Sequence, residues 1–212
     1  MEQRHRRKSL RLSDYDYAVP GAYFVTICTA KRKNLLGLIE DELMKINDAG
    51  QIIQRMWESI PIQYPDTKLD AFVVMPNHIH GIIIVGAQFI APSFTAISGK
   101  EPDAGVMNHA PTLGSIIRSL KAKSTRMIRQ DFFPQFAWQR NYYEHVIRND
   151  TALNKIREYI STNPMRCELD RENPQARGKD DFDDWLATFK TKPLKKNPTL
   201  RSEPIAPTRP LC

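Results

Sequence analysis

No apolar run in this sequence is long enough to cross a bilayer. The longest, Gly81 to Ala87, is strand-sized. No apolar stretch follows the opening Met-Glu-Gln-Arg-His-Arg-Arg-Lys, so that opening is not read as a secretory signal. Cysteine is scarce. Cys28, Cys167 and Cys212 share no close spacing, which argues against a disulfide framework or a zinc knuckle and fits a reducing cytoplasm. Histidine is scarce too, at five residues, and no internal repeat is visible.

Acidic residues are outnumbered, 24 against 31 Lys and Arg, leaving a net charge of +7. A positive field of this kind speeds the approach of polyanions, of which nucleic acid is the commonest. The charge is also clustered. Arg4, Arg6, Arg7, Lys8 and Arg11 form a basic arm over residues 1–14. Arg118, Lys121, Lys123, Arg126 and Arg129 crowd one helical segment, and Lys190, Lys192, Lys195 and Lys196 lead into the C-terminal region.

Apolar residues make up 41% of the 212, enough for one buried core. Tyr23 to Thr29 is aromatic and β-branched and reads as a strand, and Leu35 to Ile39 as a short second one. Asp48 to Ile60 has apolar residues at helical spacing and is closed by Pro61 and Pro65. Lys68 to Met75 and His78 to Val85 are strands about the Pro76-Asn77 turn signal. Residues 86–112 have no period and read as a loop insertion. Leu113 to Arg129 is an amphipathic helix. A strand is expected within Phe132 to Tyr143. Asp150 to Thr162 is a helix capped by Asp150 or Thr151 and ended by Asn163-Pro164. Residues 172–212 read as a basic tail, with five prolines in the last twenty positions. This order predicts an α+β fold: a ferredoxin-like or RRM-like antiparallel sheet with helices packed on it, spanning residues 15–171.

The richest chemistry lies at Met75-Pro76-Asn77-His78-Ile79-His80-Gly81. Residues two apart on a strand share a face, so His78 and His80 project together and can offer ring nitrogens to one divalent cation. The alternative is a structural pair near a strand end. A third ligand must come from another element, and Asn163 offers a hard oxygen suited to Mg²⁺ or Mn²⁺. Tyr159, four residues earlier, shares its helix face. The plainer reading makes Tyr159 a half-buried helix residue and Asn163 a terminal cap.

Five blocks in order resemble the REP-associated tyrosine transposases, of the single-tyrosine HUH transposase/nuclease class. They are Arg-Arg-Lys-Ser-Leu-Arg-Leu with Asp14-Tyr15-Asp16-Tyr17, Gly21 to Thr26, Met75 to Gly81, Trp138 to His145, and Tyr159-Ile160 with Asn163-Pro164. The resemblance covers most of residues 4–170. It implies a metal-dependent endonuclease and strand transferase acting on single-stranded hairpin DNA, working as a monomer or homodimer in the nucleoid-containing cytoplasm. It also implies that His78, His80 and Asn163 hold Mg²⁺ or Mn²⁺ while Tyr159 forms a 5′-phosphotyrosine link. Tyr142 and Tyr143 are rival nucleophiles whose alternative role is packing or base stacking. Arg4, Arg6, Arg7, Arg118, Lys121, Lys123 and Arg126 are candidate DNA contacts. A non-catalytic single-strand binder built on an RRM-like sheet is the alternative from another class. A histidine phosphohydrolase wants a further histidine where Ile82 stands.

Overall fold

The computed structural model describes residues 21–86 and 112–190. The arm, the interior of the 86–112 insertion and the last residues of the tail fall outside them. Strand β1 (Gly21–Cys28) is followed by a hairpin of β2 (Gly37–Glu40) and β3 (Leu43–Ile46), then α1 (Asp48–Glu58) and α2 (Ile60–Gln63). Next come β4 (Thr67–Val74), β5 (His78–Val85), α3 (Leu113–Asp131), β6 (Tyr143–Ile147) and α4 (Asp150–Thr162).

The main sheet runs β4-β5-β1-β6, with every pair antiparallel. Without the small β2–β3 hairpin, the chain order β1-α1-β4-β5-α3-β6 on this sheet is the ferredoxin-like arrangement expected of the sequence. One face carries Tyr23, Val25, Ile27, Ile79 and Ile83. It packs against Ile52, Ile53 and Trp57 of α1 and Ile116, Ile117 and Leu120 of α3. Asn47 caps α1 by accepting from Gly50 N at 3.0 Å, and Thr112 caps α3 by accepting from Ser115 N at 3.2 Å. Gly81 lies on this face beneath the Trp57 indole. A Cβ there would meet Trp57 at 2.4 Å, so only glycine lets the ring stack on Phe72.

The other face carries α4, whose buried side is Ala152, Ile156, Tyr159 and Ile160. Its cap is Asn149, which accepts from Ala152 N at 2.8 Å, rather than Asp150 or Thr151. A bidentate pair of Arg157 with Asp70, at 2.7 and 2.6 Å, ties α4 to β4. Asp70 lies where the β4–β5 register slips between Leu69 and Phe72.

Two further expectations need revision. The strand expected within 132–143 begins only at Tyr143. The aromatic block before it is irregular, with a single bridge from Trp138 to Thr29, because Trp138 packs with Phe136 and donates to Ser124 Oγ at 3.0 Å. The helix expected to run to Ile60 ends at Glu58, and Pro61 opens α2 instead of closing α1, since its fixed φ suits a first turn. Ordered contacts continue past residue 172. Glu172 and Asp180 are buried, Arg166 pairs with Asp180 at 2.7 Å, and Arg177 N donates to Glu168 O at 2.8 Å. A separate unit starts at Asp181 with α5 (Asp181–Lys190), whose first turn holds Asp181, Asp183 and Asp184 where the helix dipole favours anions.

Candidate active site and metal centre

The register of the central strands builds the site. Cys28 faces His78, Thr26 faces His80 and Phe24 faces Ile82 across β1–β5, while Tyr143 and His145 of β6 oppose Thr26 and Phe24. Paired residues in an antiparallel ladder share a face. Phe24, Thr26, His78, His80, Tyr143 and His145 therefore all belong to the face covered by α4. The Tyr159 ring meets Phe24 edge-on at 6.2 Å, and Phe24 stacks on His80 at 5.4 Å.

His78 and His80 are 1% exposed, with their Nε2 atoms 3.0 Å apart. Each outer nitrogen has its own partner: Asn77 Oδ1 lies 2.6 Å from His78 Nδ1, and Thr26 Oγ1 lies 2.9 Å from His80 Nδ1. The Tyr159 hydroxyl lies 3.4 Å from His80 Nε2. The Tyr159 ring also meets the His80 ring, at 5.2 Å between centroids.

The carboxylate that converges on the pair was not foreseen. Asp170 Oδ2 lies 3.3 Å from His78 Nε2 and 3.6 Å from His80 Nε2, and its Oδ1 accepts from Glu172 N at 2.6 Å. Asp170 sits in a run of turns without periodicity, so nothing in its neighbourhood marks it. Glu172 anchors the run. It takes an ion pair from Arg32 at 2.7 Å, a bond from Arg171 Nε at 3.0 Å and one from Cys28 Sγ at 3.3 Å, while its carbonyl accepts from Asn77 Nδ2 at 2.7 Å.

Burial, helped by the neighbouring His78, pushes His80 down to about 4 despite the Asp170 carboxylate, so its imidazole is neutral at ordinary pH. Burial works to raise the Asp170 carboxyl, yet the adjacent His78 and His80 imidazoles hold it well below the ordinary range. Burial, with help from Glu172, drives the Cys28 thiol far up and keeps it inert.

The residues fit a divalent cation. His78, His80 and Asp170 bring one ligand atom each to within 4.8 Å of one another. Two nitrogens about 2.1 Å from one ion and at right angles to it sit about 3 Å apart, which matches the imidazole pair. Asn163, at the end of α4, is 1% exposed, and both its amide atoms lack a hydrogen-bond partner among the described residues. A buried amide left in that state is costly, and a ligand would relieve it.

The other candidates are dispersed. Tyr142 packs against the core cluster, with the Lys121 ammonium over its ring at 5.5 Å. Tyr143 lies on the site's face, under the Arg171 guanidinium at 4.5 Å, which makes it the nearer rival to Tyr159. Helix α3 belongs to the opposite layer from the histidines. On it, Arg118 and Arg126 are exposed and Lys123 pairs with Gln63. Lys121 donates to Gln139 O and Asn141 O at 3.0 Å each, and burial pulls its ammonium down to about 8. Arg4, Arg6 and Arg7 lie outside the described residues.

Fold and site together define a ferredoxin-like α+β protein with a buried two-histidine, one-carboxylate cluster beside a helix-borne tyrosine. No protein-family model matches the chain. An uncharacterized protein of Haemophilus influenzae is 38% identical over 167 residues, spanning 79% of this chain and 93% of that protein, and the chain belongs to its family. Among solved structures, a REP-associated tyrosine transposase bound to a REP hairpin aligns with 74% of each chain at 21% identity and a TM-score of 0.46. A candidate transposase from Deinococcus radiodurans R1 aligns with 71% of this chain and 95% of its own at 15% identity and a TM-score of 0.40.

Proposed function

We propose that this protein is a divalent-metal-dependent single-stranded DNA endonuclease and strand transferase, with Tyr159 as its nucleophile and hairpin-bearing, REP-like DNA as its substrate. The observation that carries the reading is the Tyr159 hydroxyl, held 3.4 Å from His80 Nε2 beside a ready-made set of cation ligands. The five sequence blocks shared with the REP-associated tyrosine transposases support it.

His78, His80 and Asp170 would hold Mg²⁺ or Mn²⁺, with Asn163 as a further oxygen donor. A cation there supplies charge stabilisation to the scissile phosphate's non-bridging oxygens. Tyr159 attacks phosphorus. Its phenolic proton leaves as the P–O bond forms, the bond to the 3′-oxygen breaks, and that oxygen takes up a proton. The resulting 5′-phosphotyrosine keeps the phosphodiester energy, so a different 3′-hydroxyl can reverse the step and join new ends. His80 and Thr26 fix the floor against which the phenol lies, and Phe24 holds its ring edge-on. Arg118 and Arg126 are exposed on α3 and would be available to phosphate away from the histidine face.

The non-catalytic binder requires aromatic rings displayed on the sheet for base stacking. Phe24, central on the second face, is fully buried beneath α4, which favours the enzymatic reading. The test is incubation with labelled hairpin-bearing single strands and Mn²⁺, followed by a denaturing gel. A protein–DNA adduct in the wild type that is absent from Tyr159→Phe supports the proposal. Tight binding without any adduct would replace it with the binder.

A further inference from the structure

We infer that Asn77 is a positioning residue, which locks the His78 proton on Nδ1 and thereby forces Nε2 to present a lone pair to the cation. The inference rests on the metal-centre reading above. An asparagine amide can be turned end for end, so its orientation must be read from its neighbours. Here Nδ2 faces two backbone carbonyls, Glu172 O at 2.7 Å and Arg32 O at 3.3 Å, and a carbonyl can only accept. The NH₂ group must therefore lie on that side. Oδ1 is left 2.6 Å from His78 Nδ1, in a side chain only 2% exposed. An amide oxygen only accepts, so His78 Nδ1 must carry a hydrogen. In the neutral ring Nε2 is then bare.

The partner histidine is set differently. Its outer contact is the Thr26 hydroxyl, which both donates and accepts, so His80 can hold its proton on either nitrogen. One imidazole is locked and the other adjustable. With His78 locked, its Nε2 and Asp170 Oδ2, 3.3 Å apart, are two acceptors turned toward each other. Such a pair is stable only with a proton or a cation between its members. The same Asn77 amide also holds the Glu172 backbone, whose N–H in turn orients Asp170. One side chain thus sets both the imidazole and the carboxylate. Outer partners of this kind commonly govern metal affinity by about 10–100-fold.

The geometry that delivers Asn77 is the β4–β5 turn. Met75 N donates to His78 O at 2.8 Å, and the Asn77 carbonyl accepts from Thr29 N at 2.8 Å, so the residue is pinned at both ends.

The test reads the proton directly. Long-range ¹H–¹⁵N spectra of ¹⁵N-histidine-labelled, metal-free, full-length protein should show His78 Nδ1 protonated. An unprotonated Nδ1 in the wild type overturns the inference. Mn²⁺ affinity, measured by electron paramagnetic resonance without DNA, should fall about 10–100-fold in Asn77→Leu. It should fall less in Asn77→Asp, which keeps an acceptor facing His78 although it can no longer donate to the Glu172 carbonyl. Equal losses in the two variants would mean that Asn77 only supports the fold, and would also overturn it. Should Asn77→Leu fail to fold, the wild-type and Asn77→Asp spectra decide, since both must show the Nδ1 hydrogen. A wild type with that hydrogen in place but no Mn²⁺ affinity would defeat the metal centre while upholding the lock.

Discussion

Asp170 Oδ2 lies 3.3 Å from His78 Nε2, although the two residues are 92 positions apart in the chain, and Tyr159 reaches the same cluster from a helix on the sheet's second face. This convergence turns a two-histidine strand into a site with three buried ligand atoms and an adjacent phenol. Each prediction below follows from a contact in or beside it.

Tyr159→Phe should abolish the covalent DNA adduct while leaving the fold nearly unchanged. The phenyl ring keeps its edge contact with Phe24, and the long hydroxyl contact to His80 that it gives up is worth at most about 1 kcal/mol. Tyr143→Phe serves as the control, since Tyr143 shares the face. If the adduct disappears in Tyr143→Phe and survives in Tyr159→Phe, the nucleophile has been misassigned.

Asp170→Ala and Asn163→Ala separate the two candidate oxygen donors. His78→Ala, His80→Ala and Asp170→Ala should each reduce Mn²⁺ affinity by at least tenfold, because each removes one of the three converging atoms. Asn163→Ala should weaken it less, and should stabilise the metal-free protein by removing an unsatisfied buried amide. Calorimetric titration and thermal melts in chelator read both effects. A larger affinity loss from Asn163 than from Asp170 would reverse their ranking.

Gly81→Ala should destabilise the protein by about 1–3 kcal/mol through overpacking. The new methyl meets Trp57 Cζ2 and Cη2 at 2.4 and 2.5 Å, and Trp57 is buried and stacked on Phe72 at 4.6 Å. Urea unfolding reads the loss, and Gly81→Ala combined with Trp57→Leu should recover part of it. No loss in the single variant would mean the indole is free to move.

Acid should weaken the metal-free protein partly through His145. Burial, followed by the Arg148 charge, lowers this imidazole to about 4 in the folded state. The unfolded chain takes up its proton near pH 6.5, as an ordinary histidine does. Stability is therefore intact above about pH 6.5 and drains away as pH falls toward 4. The contribution at pH 5 is on the order of 1 kcal/mol, allowing for the partly exposed ring. His145→Gln should flatten the fall in urea midpoint between pH 7 and pH 5, and a slope identical to wild type would exclude His145 as a source.

The chain's local chemistry was enough to place β1, β4, β5, α3 and α4 within a few residues, because each has a clean period or a turn signal at its ends. It also paired His78 with His80, since alternation along a strand is a two-residue rule, and it paired Tyr159 with Asn163 by helical spacing. What it missed has a common cause. The irregular aromatic block around Trp138, the turns from 163 to 180 and the role of Asn77 all depend on partners distant in sequence.

Local periodicity dictates which face a side chain takes, and the sequence by itself settled that much: an antiparallel α+β fold, two imidazoles on one side of a strand, and a phenol one turn from an amide. Only the tertiary structure decided that Asp170 completes the cluster and that Asn77 orients it. Hydrogen bonds from Arg32, Cys28 and Asn77 to Glu172 draw that segment in, and no periodicity along the chain encodes them.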